Sequence, residues 1–134
     1  MPAAQVLDSH ALLALLRDEP GGETVAQILE RAGQRDQPVH MTEVNYAEVQ
    51  YMIRRNDGDA AWATIAGELR AVPIEFHPAD RRLADTAAEF KARFKMSLAD
   101  AFAAALAKEK NAELVTGDSE FKALAKEIAI HWLK

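Results

Sequence analysis

Cysteine is absent from this 134-residue sequence. Its absence excludes disulfide bonds, iron–sulfur clusters and thiolate zinc sites, and it fits a reducing compartment. Long apolar runs are also missing, because the run over 6–16 is interrupted by Asp8, Ser9 and His10 and is too short to span a membrane. No basic segment precedes that run, as a signal peptide would require. We therefore expect a cytoplasmic protein without a membrane anchor.

Positive charge is in deficit, since the formal net charge is −5. This balance argues against a protein that holds nucleic acid by bulk electrostatic attraction. Any nucleic-acid ligand would need a local basic surface together with a metal ion. With 49% hydrophobic and 28% charged residues, the chain is expected to form a single globular domain over 1–134.

Several catalytic motifs are missing as well. The sequence contains no Gly-x-Ser-x-Gly elbow, P-loop, dinucleotide-binding fingerprint or His-Glu-x-x-His helix. The four histidines, His10, His40, His77 and His131, show no metal-ligand spacing, and each is interpreted as a surface or partly buried residue. His10 alone is assigned a supporting role, because it follows Asp8 by two positions.

Short apolar runs alternate with helical patterns along the whole chain. Strands are predicted at 5–8, 38–41, 72–76, 112–116 and 128–132, and helices at 9–18, 23–35, 42–55, 59–70, 78–95 and 97–110. This alternation is typical of an α/β fold with a mostly parallel sheet of about five strands and helices on both faces.

Four acidic residues occupy positions suited to a shared site. Asp8 and Asp118 follow predicted strands, whereas Glu48 and Asp100 lie on predicted helices. Ligands of open α/β sheets bind at the carboxyl ends of the strands, so distant acids can share one crevice. At about 5 Å and an effective dielectric of about 20, each like-charge pair costs on the order of 3 kcal/mol. Protonation or bound cations would relieve this cost, and an all-oxygen ligand set favours Mg²⁺ or Mn²⁺ over zinc.

Three of these acids also have structural explanations. Asp8 and Asp118 are suitable N-caps for the helices that follow them. Asp100 follows Ser97 by three positions, which matches a capping box. The uncharged segment 101–107 nevertheless predicts a buried helix, whose N-terminal dipole favours a carboxylate near a cation site.

Glu48 is harder to explain structurally. Helical periodicity places it between Val44 and Met52 on an apolar face, where an ionised carboxylate needs a partner or a metal ion. A salt bridge with Arg55 is the structural alternative.

The segments around the four acids resemble a known set of motifs. These segments are 6–13 (VLDSHALL), 45–49 (NYAEV), 97–100 (SLAD) and 114–118 (LVTGD). In order and separation they are similar to the four acidic motifs of the PIN domain, and the resemblance extends over nearly the whole chain. It points in particular to VapC-type toxins of type II toxin-antitoxin pairs, which are single-domain PIN ribonucleases.

The resemblance implies an Mg²⁺- or Mn²⁺-dependent endoribonuclease that is inhibited by a small cognate antitoxin and is usually a homodimer. It makes Asp8, Glu48, Asp100 and Asp118 the catalytic, metal-binding acids. Thr116, Asn45 and Ser9 are implied as supporting polar residues. His10 departs from the pattern, because the family commonly has Ser or Thr at that position.

RNA binding would depend on basic residues near the acids. Arg93 and Lys95 are the preferred candidates, taken from a wider set that also includes Arg81, Arg82 and Lys91. A solvated helix face explains most of this set equally well.

Two other functions remain open. A catalytically inactive PIN-like protein-binding module would keep the fold with structural acids. A phosphoacceptor domain using Asp8 as nucleophile would need an adjacent acid, which the sequence lacks.

The helix over 42–55 has a second apolar side, formed by Tyr46, Val49 and Ile53, which either packs in the core or meets another chain.

Overall fold

A five-stranded parallel sheet forms the centre of the computed structural model, which describes residues 4–134. The strands are β1 (Gln5–Leu7), β2 (Val39–Thr42), β3 (Ile74–His77), β4 (Glu113–Thr116) and β5 (Ile130–Trp132). Their order is β3-β2-β1-β4-β5, and every neighbouring pair is parallel. The predicted α/β fold is confirmed. The chain changes direction across the sheet between β1 and β4, and a crevice forms at such a switch point.

Six α-helices and one 3₁₀ helix flank the sheet within residues 4–134. They are α1 (Ser9–Leu16), α2 (Gly22–Gln34), α3 (Glu43–Asp57), α4 (Asp59–Leu69), α5 (Arg81–Arg93), α6 (Leu98–Lys110) and the 3₁₀ helix Ser119–Leu124. All six predicted helices are present. The one expected over 78–95 is shorter, because Asp80 caps it by accepting the N–H of Leu83 at 2.9 Å and Phe94 adopts an extended conformation.

Helices cover both faces of the sheet, as predicted. On one face, Val6 and Leu114 pack against α5 and the fully apolar segment 101–107 of α6. On the other face, Leu7 and Val115 pack against α1 and α2. The uninterrupted burial of 101–107 holds the N-terminus of α6 in a fixed position above the sheet.

The second apolar side of α3 packs in the core. Val49 and Ile53 are buried with Trp62 of α4, and the Tyr46 ring meets the rings of Trp62 and Phe76 edge to face. This side of α3 is therefore used within the chain, and the homodimer remains a prediction.

No helix in the described part of the chain has the length and apolar character needed to cross a membrane.

Candidate functional site

Asp8 lies immediately after β1 and is almost completely buried. One carboxylate oxygen caps α1 by accepting the N–H of Ala11 at 2.8 Å, and the other accepts the hydroxyl of Thr116. Burial raises the pKa of Asp8 to about 7 despite these two hydrogen bonds, and the charges of Asp100 and Asp118 act in the same direction. A carboxylate here is therefore poorly compensated by the protein alone.

Asp118 follows β4, the strand beside β1. Its backbone N–H donates to the Thr116 hydroxyl oxygen at 3.0 Å, and its carboxylate caps the 3₁₀ helix by accepting the N–H of Glu120 at 2.9 Å. Thr116 thus connects Asp8 to the start of this helix.

Gly117 lies between Thr116 and Asp118 in the sequence, and a Cβ at that position would be 2.5 Å from the His10 ring. His10 therefore borders the acids, although it is exposed.

Asp100 reaches the same place from the N-terminus of α6. Ser97 caps that helix by accepting the N–H of Asp100 at 3.1 Å. The pKa of Asp100 is raised to about 6, chiefly by burial and also by the charges of Asp118, Glu48 and Glu120. The carboxylates of Asp100, Asp118 and Glu120 each offer an oxygen within 4.8 Å of the others.

Glu48 lies half-buried on α3 and forms no ion pair within residues 4–134. Arg55, its predicted alternative partner, instead lies over the Tyr51 ring, 5.2 Å from the centroid. The charge of Glu48 contributes to the raised pKa of Asp100. Glu48 therefore acts electrostatically on Asp100.

Two of the four predicted acids, Asp100 and Asp118, bring carboxylate oxygens within 4.8 Å of each other and of Glu120. Asp8 and Glu48 lie outside that close group and are linked to it through their charges. The capping roles predicted for Asp8 and Asp118 are also real, but each capped oxygen retains a second lone pair. Capping and clustering are therefore compatible. Sequence reasoning missed Glu120 because an exposed acid in the first turn of a helix has an ordinary electrostatic explanation.

A second polar network lies behind the acids and centres on buried Asn45. Its amide nitrogen donates to the Ser9 hydroxyl at 3.0 Å and to the Ala99 carbonyl at 3.1 Å, and the Thr42 hydroxyl bonds to its oxygen. Asn45 thus ties α3 to α1 and to the residue preceding Asp100. Among the predicted supporting residues, Thr116 contacts Asp8 directly, whereas Ser9 and Asn45 belong to this network.

The donor set of the cluster consists of carboxylate oxygens. Burial, together with the neighbouring acids, raises the pKa values of Asp8 and Asp100, and none of the clustered acids forms an ion pair within residues 4–134. Both features fit a hard divalent cation, which prefers oxygen ligands and would stabilise the ionised acids.

The predicted RNA-binding residues differ in their surroundings. Arg93 donates to both carboxylate oxygens of Glu127 at 2.9 and 2.6 Å and to Glu89 at 3.4 Å. Lys95 is exposed and has no ion-pair partner in the described part of the chain. Lys95 is therefore the cation with more freedom to contact a ligand.

Two histidines lie together although their sequence spacing indicates no ligand set. His40 Nδ1 and His77 Nε2 are 2.8 Å apart, and both nitrogens are close to Glu75. Burial lowers the pKa of His40, and His77 and Lys110 act in the same direction. The pair was missed because its members come from neighbouring parallel strands and are separated by 37 residues in the chain.

Comparison with solved structures identifies the same fold in several toxin-antitoxin proteins. The chain is similar to VapBC2 from Rickettsia felis bound to a promoter DNA fragment (TM-score 0.75, 15% identity, 98% of this chain and 99% of that chain). It is also similar to DNA-bound VapBC from Salmonella typhimurium (TM-score 0.75, 17% identity, 96% and 97%). A third similar structure is Mycobacterium tuberculosis VapC20, a Sarcin-Ricin loop cleaving toxin (TM-score 0.70, 19% identity, 90% and 94%).

A search of curated protein sequences found no match. The model of the PIN domain family matches residues 6–127, which include all four predicted acids. Since this match spans most of the sequence, the chain belongs to the PIN domain family.

Proposed function

We propose that this PIN domain is a metal-dependent endoribonuclease that acts as the toxin of a type II toxin-antitoxin pair. Its site would comprise Asp8, Glu48, Asp100 and Asp118, would bind Mg²⁺ or Mn²⁺, and would hydrolyse RNA phosphodiester bonds. The observation that carries the proposal is geometric: Asp100 and Asp118 bring carboxylate oxygens within 4.8 Å of each other and of Glu120, and Thr116 connects Asp118 to Asp8. The pKa values of Asp8 and Asp100, which burial and neighbouring acids raise, agree with this arrangement. Perturbed carboxylates at a sheet switch point are typical of functional sites.

The comparisons support the same proposal. Similar structures include VapBC complexes and a toxin that cleaves the Sarcin-Ricin loop. A PIN domain with four clustered acids is suited to related chemistry on RNA. The particular RNA is a separate property, because it depends on the surface around the acids.

The protein's own residues would hold and orient the site. Thr116 fixes the carboxylate of Asp8, and Ser97 fixes the first turn of α6 from which Asp100 projects. Asn45 holds the Ala99 carbonyl next to Asp100. A divalent cation bound by the acids supplies positive charge and Lewis acidity at the scissile phosphate. Lys95, with Arg93 beside it, would contact the RNA backbone.

A cognate antitoxin is part of the proposal. One similar structure is a toxin-antitoxin complex from Klebsiella pneumoniae, with a TM-score of 0.66 and 17% identity. The antitoxin of this chain would place a basic side chain among the acids and an apolar helix in an adjoining groove. We also propose that the toxin forms a homodimer.

Isosteric substitution tests the active site. Asp8→Asn, Glu48→Gln, Asp100→Asn and Asp118→Asn each remove one charge, and each should abolish Mn²⁺-dependent cleavage of total RNA while the fold is retained. Asp80→Asn is the matched control, because Asp80 also caps a helix, through the N–H of Leu83 at 2.9 Å, but has no part in the cluster. Glu43→Gln is the control for Glu48 on the same helix.

RNA cleavage at the wild-type rate in the four site variants would overturn the proposed active site. Failure of the wild-type protein to cleave RNA with Mg²⁺ or Mn²⁺, combined with tight capture of a co-expressed antitoxin, would instead favour the protein-binding module. Co-purification with the product of the neighbouring gene tests the antitoxin separately.

A further inference from the structure

A cluster of two histidines and one glutamate lies on β2 and β3. His40 is in register with Glu75, and His77 is in register with Thr42. Side chains alternate along a strand, so Glu75 and His77 project from β3 on the same face of the sheet as His40. The fold therefore brings three good metal ligands together at one edge of the sheet.

The three ligand atoms form a compact triangle. His40 Nδ1 is 2.8 Å from His77 Nε2, and these nitrogens are 3.1 and 3.2 Å from Glu75 Oε2. Zinc binds histidine nitrogen at 2.0–2.1 Å with tetrahedral geometry, which separates neighbouring ligand atoms by about 3.3 Å. The two rings would need to separate by about 0.5 Å to reach that spacing.

The numbers of hydrogen-bond donors and acceptors in the cluster also favour a bound cation. Each neutral imidazole has one N–H and one lone pair, and an ionised carboxylate only accepts. If both facing nitrogens, which are 2.8 Å apart, carried protons, those protons would repel each other. If one nitrogen carries a proton, that proton must serve both the other imidazole and the carboxylate. A metal ion would satisfy all three lone pairs at once.

The cluster is also accessible from solvent. His40 and Glu75 line a cavity of about 720 Å³ at the amino ends of the strands, together with Gln5 and Pro38. The side chains of His40 and His77 are 15% and 18% exposed, whereas that of Glu75 is 54% exposed. The rings are held by their surroundings, and the open side provides an entry path and space for water as a fourth ligand.

We propose that His40, Glu75 and His77 bind a divalent transition-metal ion, preferentially Zn²⁺, at a site separate from the acidic cluster. Two imidazoles select a borderline metal over Mg²⁺, which prefers oxygen ligands. The ion would join the edge strand β3 to β2 beside Thr42, which bonds to Asn45 behind the acids.

Zinc titration in excess Mg²⁺ tests this site, with untagged protein followed by calorimetry and thermal unfolding. We expect one Zn²⁺ per chain and a rise in melting temperature. Removal of a direct ligand in His40→Gln, His77→Gln or Glu75→Gln should weaken Zn²⁺ binding by roughly tenfold or more and abolish the thermal shift. Co²⁺ in place of Zn²⁺ should give the visible absorption of tetrahedral coordination in the wild-type protein and not in the three ligand variants.

His131→Gln is the matched control. His131 Nδ1 lies 3.3 Å from Glu113 on the neighbouring strand, so this pair reproduces a histidine–carboxylate contact without a second imidazole. His131→Gln and Asp118→Asn should leave Zn²⁺ binding unchanged. Absence of Zn²⁺ binding to the wild-type protein, wild-type affinity in the three ligand variants, or loss that follows Asp118→Asn would overturn the proposal. If a histidine variant fails to fold, Glu75→Gln decides, because its exposed side chain contributes little to packing.

Discussion

Thr116 Oγ1 donates its proton to Asp8 Oδ2 across the boundary between β4 and β1. The same hydroxyl oxygen accepts the backbone N–H of Asp118 at 3.0 Å. One buried threonine therefore sets the position of two acids that are distant in sequence. Its hydrogen bond also lowers the pKa of Asp8, in opposition to burial. Thr116 is thus a positioning residue of the acidic cluster.

Thr116→Val tests this role, because it keeps the shape and removes the hydroxyl. It should raise the pKa of Asp8 further, weaken Mn²⁺ binding near neutral pH, and destabilise the fold by about 1–3 kcal/mol through unpaired buried groups. Calorimetric Mn²⁺ titration at several pH values and denaturant unfolding measure these effects. Thr116→Ser retains the hydroxyl and should behave much like the wild-type protein. Equal Mn²⁺ affinity in both variants would contradict the assigned role.

The pH dependence of stability has a defined sign. The pKa of Asp8 rises from 3.8 to about 7 on folding, so the folded state binds more protons between these values and the free energy of unfolding falls as pH rises through that window. Ionisation of Asp8 across this window lowers the free energy of unfolding by on the order of 4 kcal/mol. Asp100, with a pKa of about 6, changes stability in the same direction.

Denaturant unfolding with EDTA, repeated from pH 4 to pH 8, measures this dependence. Asp8→Asn should flatten the curve, and added Mn²⁺ should restore stability at the upper end of the range. A metal-free protein that becomes more stable towards pH 8, with Asp8→Asn unchanged from wild type, would contradict the raised pKa.

The fold could be predicted, and the four acids proposed as a site, because their signals are local or ordered along the chain. Alternation of short apolar runs with helical patterns indicates a buried parallel sheet. The lack of charge in the segment 101–107 predicts a buried helix. Asp8 follows β1 directly and Asp118 follows β4 after Gly117, which places both at the carboxyl edge of the sheet. These features depend on neighbours within a few residues.

Contacts between neighbouring strands could not be predicted in the same way. His40 meets His77 because β2 and β3 pair in one particular register, and a shift of one residue would turn one of the side chains to the other face. Arg93 similarly forms its ion pair with Glu127 across 34 residues. No local periodicity encodes such long-range partners.

Glu120 is the acid that the structure adds to the predicted set. Its carboxylate lies within 4.8 Å of those of Asp100 and Asp118, and its charge contributes to the raised pKa of Asp100. Glu120→Gln should therefore lower the pKa of Asp100 and weaken Mn²⁺ binding. NMR titration of the carboxyl groups and calorimetry measure the two effects. Glu43→Gln, another first-turn glutamate, should change neither. Unchanged Mn²⁺ affinity in Glu120→Gln would remove Glu120 from the metal site.

Asn45 joins three elements behind the acids, so its loss should be costly. Asn45→Ala would remove the amide that donates to the Ser9 hydroxyl and the Ala99 carbonyl and that accepts the Thr42 hydroxyl. Each unpaired buried group costs about 1–3 kcal/mol, so denaturant unfolding should show a large loss of stability. The exposed Asn56 on the same helix is the control, and Asn56→Ala should have little effect. Similar stability of the two variants would show that the network is not important for folding.

Lys95 offers the clearest test of RNA binding, because it is exposed and unpaired within residues 4–134 whereas Arg93 already binds Glu127. In an Asp118→Asn background that prevents cleavage, Lys95→Ala should weaken RNA binding. It should also reduce the salt dependence of the association constant by about 0.7 in log–log slope for one lost phosphate contact on a single strand. Thermal stability should not change. Arg35→Ala is the control, since Arg35 lines the cavity at the opposite edge of the sheet. Filter binding over a range of salt concentrations measures the slope, and equal slopes for the two variants would exclude Lys95 from the RNA contact.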